Sequence, residues 1–267
     1  MKEFLIKIVK GVVIGASMLI PGVSGGTMAI ILNVYDELIR SVSGFRKDIK
    51  NNGLFLIQFA LGGGLGILIL AKPMLLAVTA YHLPMMYLFI GAILASVQPL
   101  YRKATIDKVK PINIVAAVIG VGVSPIVTIF LQNFLTIKEG TAKDNLLVLA
   151  IAGFLVAVAL ILPGISGSYV LLMMGLYETT LSAVTHFDLG YLLPMAGGAF
   201  AGMVLTTRIL ERAMERHPQF TYMLIIGFIL GTLIEVFPGL PAGLEIPICI
   251  GTLALGFFVV LRITRMR

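Results

Sequence analysis

Two stretches of this chain interrupt a long apolar run with the same phrase: Pro21-Gly22-Val23-Ser24-Gly25-Gly26-Thr27, and Pro163-Gly164-Ile165-Ser166-Gly167-Ser168-Tyr169. Proline ends an incoming helix, glycine permits the turn, and serine caps a new helix. The runs around them lie at about 4–20, 24–39, 54–80, 85–100, 111–135, 146–162, 167–184, 189–207, 220–237 and 246–261. With 58% hydrophobic and 12% charged residues and a mean hydropathy of +1.03, the chain is far more apolar than a soluble domain, in which about 25% of residues are charged. Long runs without ten-residue alternation make the spans helices rather than barrel strands. The fold class is therefore an all-α integral membrane protein.

The net charge of +7 does not imply nucleic acid, because the basic residues sit in short loops between apolar runs, where membrane topology explains them. Cys249 is alone and packs in an apolar stretch. Lys2, Lys7 and Lys10 ahead of an apolar stretch have the layout of a secretory signal. The same pattern recurs in mid-chain, which assigns the N-terminus to structure instead.

The runs form two sets of five, and the halves repeat. At a shift of 142, Pro21-Gly22 falls on Pro163-Gly164, Ser24-Gly25 on Ser166-Gly167, Tyr35 on Tyr177 and Asp36 on Glu178. At 136, Gly62 falls on Gly198, Gly66 on Gly202, Lys72 on Arg208, Gly91 on Gly227 and Gly120 on Gly256. The expected division is a first repeat at 1–137, a linker at 138–145 whose Asp144 or Asn145 caps the next helix, and a second repeat at 146–267.

Topology follows from the basic loops. If 4–39 and 146–184 are hairpins that enter and leave on one side, 17 of the 20 Lys and Arg residues share one face; only Lys138 and Lys143 lie opposite and Lys72 lies within a run. A single broken span in place of the hairpin would violate the positive-inside rule. The arms, about 16 residues or ~25 Å, are short for a ~30 Å hydrocarbon core, so re-entrant hairpins are expected. Each repeat is then a hairpin plus three transmembrane helices (54–80, 85–100 and 111–135; 189–207, 220–237 and 246–261). An odd number of spans inverts the second copy, so that the tips meet near the midplane.

Facing tips offer free backbone donors at Gly25, Gly26, Thr27 and Gly167 and the hydroxyls of Ser24, Thr27, Ser166 and Ser168. Such a concave, donor-rich site suits a phosphate. Lys72 and Arg208, late in the third segment of each repeat, are the ionisable residues that would serve it from opposite faces. Asp36, Glu37, Glu178 and Glu235 are candidates for proton coupling. His82, His186 and His217 show no metal-ligand spacing, and no cofactor is expected.

The phrase Ile20-Pro21-Gly22-Val23-Ser24-Gly25-Gly26-Thr27, its partner Leu162-Pro163-Gly164-Ile165-Ser166-Gly167-Ser168 and the following Gly175-Leu176-Tyr177-Glu178 resemble the bacterial polyprenyl-phosphate transporter family over essentially the whole chain. The resemblance implies a flippase returning undecaprenyl phosphate from the outer to the inner leaflet of the plasma membrane, with both termini cytoplasmic. It also implies two inverted, re-entrant repeats. The alternatives are an undecaprenyl-diphosphate phosphatase and a non-transporting assembly protein. The phosphatase motif continues with Arg-Ser after Pro-Gly-x-Ser, where this chain has Gly25-Gly26 and Gly167-Ser168. An assembly role leaves the two Ser-Gly tips without a purpose.

Overall fold

The computed structural model describes residues 2–18, 24–104, 110–134 and 145–265. Pro21 and Gly22 of the first phrase, and linker residues 138–144, lie outside them. The described residues are helical, without strands. In order they form α1 (Lys2–Ser17), α2 (Gly25–Ile31), α3 (Tyr35–Ser43), a 3₁₀ turn (Phe45–Lys47), α4 (Ile49–Ala80), α5 (His82–Lys103) and α6 (Pro111–Phe134). There follow α7 (Leu146–Ile161), α8 (Gly167–Met173), α9 (Tyr177–Thr185), α10 (Leu189–Arg216), α11 (Pro218–Val236) and α12 (Glu245–Arg265). Among the described residues α4, α5, α10 and α12 are long and apolar enough to cross a membrane; Pro111–Val123, Leu146–Ile161 and Pro218–Ile234 are shorter apolar stretches. Their outward faces are apolar, with Leu68 80% and Phe200 70% exposed, as lipid contact requires and water does not tolerate over so large an area.

Polar side chains set several helix starts. Asn145 Oδ1 accepts from the backbone N–H groups of Leu147 and Val148, capping α7 as its sequence position suggests. Asp48 does the same for α4 by accepting from Asn51 N, and Asp188 for α10 by accepting from Tyr191 N.

The arm after each phrase is broken once more, at equivalent places. α2 ends where Asn33 takes φ 54°, and α8 ends where Gly175 takes φ 71°. Asn33 N donates to Ile30 O and Val34 N to Ala29 O, while Gly175 N donates to Leu172 O and Leu176 N to Leu171 O. Each is the paired bond of a Schellman stop, which satisfies the last carbonyls without water. Hydropathy alone had shown these arms as unbroken runs.

Helix pairs recur between the halves. α1 packs on α4 as α7 packs on α10, and α5 packs on α12 as α11 packs on α6. Glycines bring the backbones together: a Cβ on Gly62 would run into Ile8 O and one on Gly66 into Val12 O, just as Gly198 and Gly202 face Ala150 O and Phe154 O. This is close helix packing through small residues. Its register runs α1 parallel to α4 and α7 parallel to α10. Carried forward, it sets the end of α1 near residue 70 of α4, roughly 15 Å short of Ala80, and Ile161 near Arg208 at ~1.5 Å per residue. The broken arm α2–α3 lies against α5, α7 and α10, and Ile31, Ile39, Ile225 and Ile229 are fully buried around it.

Gly198→Val should lower stability by about 1–3 kcal/mol through overpacking against α7. Gly197→Val, which meets nothing within 4 Å, should leave the unfolding midpoint in detergent unchanged.

Candidate functional site

The two tips touch. A Cβ on Gly26 would lie 3.3 Å from Pro163 Cα and 3.2 Å from Ile161 O. Across this contact the Tyr35 hydroxyl, at the start of α3, donates to Ile161 O at 2.9 Å in a buried bond. Ile161 closes α7, so its carbonyl is one of the helix-end acceptors that an apolar medium cannot satisfy. Pro163 and Gly164 make the second turn. Gly164 holds φ +93°, and a Cβ there would stand 2.5 Å from Phe228 O, so turn geometry and close approach both select glycine.

A cavity of about 740 Å³ opens beside this junction. Gly25 and Gly26 line it from the first tip and Leu160 and Ile161 from the second; Leu56, Phe59, Phe200 and Met203 form apolar walls. Two guanidinium-bearing residues, Arg46 and Arg208, also line it. Its size is that of a pocket for a drug-sized ligand; a chain of dozens of carbons would have to leave it.

Ser24 is 3% and Thr27 1% exposed, and neither hydroxyl has a hydrogen-bond partner among the described residues. Ser24 occupies the N-cap position of α2 without making a side-chain cap bond. A buried hydroxyl without a partner costs about 1–3 kcal/mol, so two in succession beside a cavity are retained at the expense of stability. The second tip differs: Ser166 Oγ and Ser168 Oγ hydrogen-bond to each other at 2.9 Å, and Ser168 is exposed. Gly167 is buried against Leu160 and Val156.

The charged candidates separate. Arg208 and Lys72, matched in the sequence, are both exposed, but Arg208 lines the cavity and Lys72 does not. Tyr222 OH donates to Asp36 Oδ2 at 3.4 Å, tying α3 to α11. Glu37 is ion-paired with Lys7 at 2.6 Å, with both side chains partly exposed, a pair worth little on its own. Glu178 is exposed in the first turn of α9. Glu235 lies in the last turn of α11, its side chain outside what the structure describes.

Two contributors escaped the sequence reading. Tyr35 had been noted as a repeat match with Tyr177 and given no role. Arg46 had been counted only as one of the positive charges of a loop. Its turn is well tied: Asn52 Nδ2 donates to Gly44 O at 3.0 Å, and Asn51 Nδ2 donates to Asp48 Oδ2 at 2.7 Å. The Asn51 side-chain and backbone donors hold the Asp48 carboxyl below its ordinary value. A lowered folded-state pKa means that this contribution is present at neutral pH and fades as the pH falls through the folded-state value.

Broken helices meeting beside an apolar, cation-bearing cavity in an all-helical membrane protein are the class these features define. The family described as "VCA0040-like: Undecaprenyl phosphate translocase-like" matches residues 14–242, and the chain belongs to it. A polyprenyl-phosphate transporter of Staphylococcus aureus is 32% identical over 273 residues, covering 98% of this chain and 96% of its own. One of Vibrio cholerae serotype O1 is 31% identical over 250 residues, covering 88% of this chain and 78% of its own. No solved structure matches.

Tyr35→Phe should cost about 1–2 kcal/mol, because it strands the Ile161 carbonyl without changing the packing. Tyr177→Phe, at the exposed equivalent position, should unfold at the wild-type temperature.

Proposed function

We propose that this protein is a polyprenyl-phosphate transporter that brings undecaprenyl phosphate from the outer to the inner leaflet of the bacterial plasma membrane. The observation that carries the reading is the cavity at the joined tips, apolar along its walls and lined by Arg208 and by Gly25 and Gly26, which the buried Ser24 and Thr27 flank in the chain. The two relatives named polyprenyl-phosphate transporter support the substrate. A phosphate cannot cross ~30 Å of hydrocarbon unaided, whereas its tail is at home there. The headgroup therefore occupies the cavity while the tail stays in lipid, and the protein performs no bond-breaking step.

The reading includes two inverted repeats, each a re-entrant hairpin with three spans, and cytoplasmic termini. The recurrent helix pairs support it, as does the level of α1, which ends well short of the far end of α4. The headgroup is assigned to Ser24, Gly25, Gly26, Thr27 and Arg208 in the present arrangement. Ser166, Gly167, Ser168 and Lys72, their counterparts in the repeat, serve the opposite-facing one. Phe45 and Arg46 line the cavity from the Lys/Arg-rich turn between α3 and α4, which supports reading its opening as cytoplasmic. Of the four carboxylates, Asp36 is the best placed for proton coupling, being half-buried and bonded to a helix of the other repeat; Glu37, Glu178 and Glu235 are secondary.

The test is leaflet-to-leaflet movement of polyprenyl phosphate in vesicles carrying the purified protein. Thr27→Val removes a hydroxyl whose burial without a partner is unfavourable, so it should leave stability equal or higher while slowing movement about tenfold through loss of one headgroup bond. Unchanged movement in Thr27→Val and in Arg208→Gln would contradict the assigned site.

A further inference from the structure

We infer that Arg46 is a second cationic contact for the acidic headgroup, acting with Arg208 in one cavity; this rests on the reading of that cavity as a polyprenyl-phosphate site. A phosphate monoester carries about −1.5 to −2 charge at pH 7, more than one guanidinium neutralises. The cavity supplies two. Arg208 comes from α10, at the level of the joined tips, and Arg46 from the 3₁₀ turn Phe45–Lys47 that leads into α4. The same cavity includes both the tip glycines and this turn, so it runs from one to the other.

Neither arginine has a carboxylate partner within 4 Å among the described residues. The acids on the elements nearest Arg46 are otherwise engaged: Asp36 with Tyr222, Glu37 with Lys7, and Asp48 with Asn51 at the start of α4. Both side chains are exposed while lining the cavity, so each can meet an anion that enters from water, and an anion held between them is attracted by both charges. A planar fork of N–H donors matches phosphate oxygens in pairs. Arg46 also stands where a headgroup entering or leaving on the side of the α3–α4 turn must pass. It thus sets charge selectivity at the mouth, while Arg208 and the tip glycines set position inside.

The test is equilibrium binding of farnesyl phosphate, farnesol and inorganic phosphate to the purified full-length protein in detergent. Arg46→Gln should weaken farnesyl phosphate about tenfold, the loss of one charge-assisted contact, and leave farnesol unchanged. Arg46→Lys should keep most of the affinity. Lys47→Gln removes the same charge from the same turn but does not line the cavity, and should bind like the wild type. Arg46→Met, which keeps the side chain's length, repeats the test if the glutamine variant unfolds. Wild-type affinity in Arg46→Gln alongside weakened binding in Arg208→Gln would overturn the role of Arg46 and leave the proposed transport standing. Wild-type affinity in both would overturn the cavity as the headgroup site. An equal loss in Lys47→Gln would reduce the effect to general surface charge, and inorganic phosphate binding as tightly as farnesyl phosphate would show a free-anion site instead of a lipid one.

Discussion

A helix that ends among apolar groups leaves carbonyls and amides that only the protein itself can satisfy, and this structure depends on how those groups are answered. Part of the answer is local: the stops at Asn33 and Gly175 close on themselves through Schellman bonds. The rest comes from the other half of the molecule. The last carbonyl of α7 accepts from Tyr35, and Gly26 fits against Pro163 because it has no side chain. The two broken segments complete one another, which fixes their contact and leaves the cavity beside it.

That mutual completion is not symmetric. Tyr35 is buried and bonded, whereas its counterpart Tyr177 is 42% exposed. Arg208 lines the cavity, and Lys72 does not. Ser24 and Thr27 are buried without partners among the described residues, while Ser166 and Ser168 bond to each other. Matched positions of the two halves thus sit in different surroundings, one set engaged and the other open.

Much of this was legible in the sequence because the membrane leaves few choices. Apolar runs of this length become helices, and the glycines matched at 62 and 198, and at 91 and 227, stand at close approaches in corresponding helix pairs. The break at Asn33 was hidden, since asparagine inside an apolar run carries a weaker stop signal than glycine, and the proline of the phrase drew the attention. Arg46 was hidden for another reason: a basic residue in a loop satisfies the positive-inside rule, so its charge already had an explanation. The asymmetry could not be read at all, because equal sequences at 35 and 177 specify equal chemistry but not which copy is engaged.

The claim on which everything else rests is that the headgroup binds where the two tips meet. Photocrosslinking with a polyprenyl phosphate bearing its reactive group next to the phosphate, followed by peptide mapping, tests it most directly. Labelling should concentrate on residues 24–31, 160–168 and 200–208, drawn from both halves of the chain. Labelling confined to the lipid-facing surfaces of α5 or α12, with both tips unmarked, would contradict it.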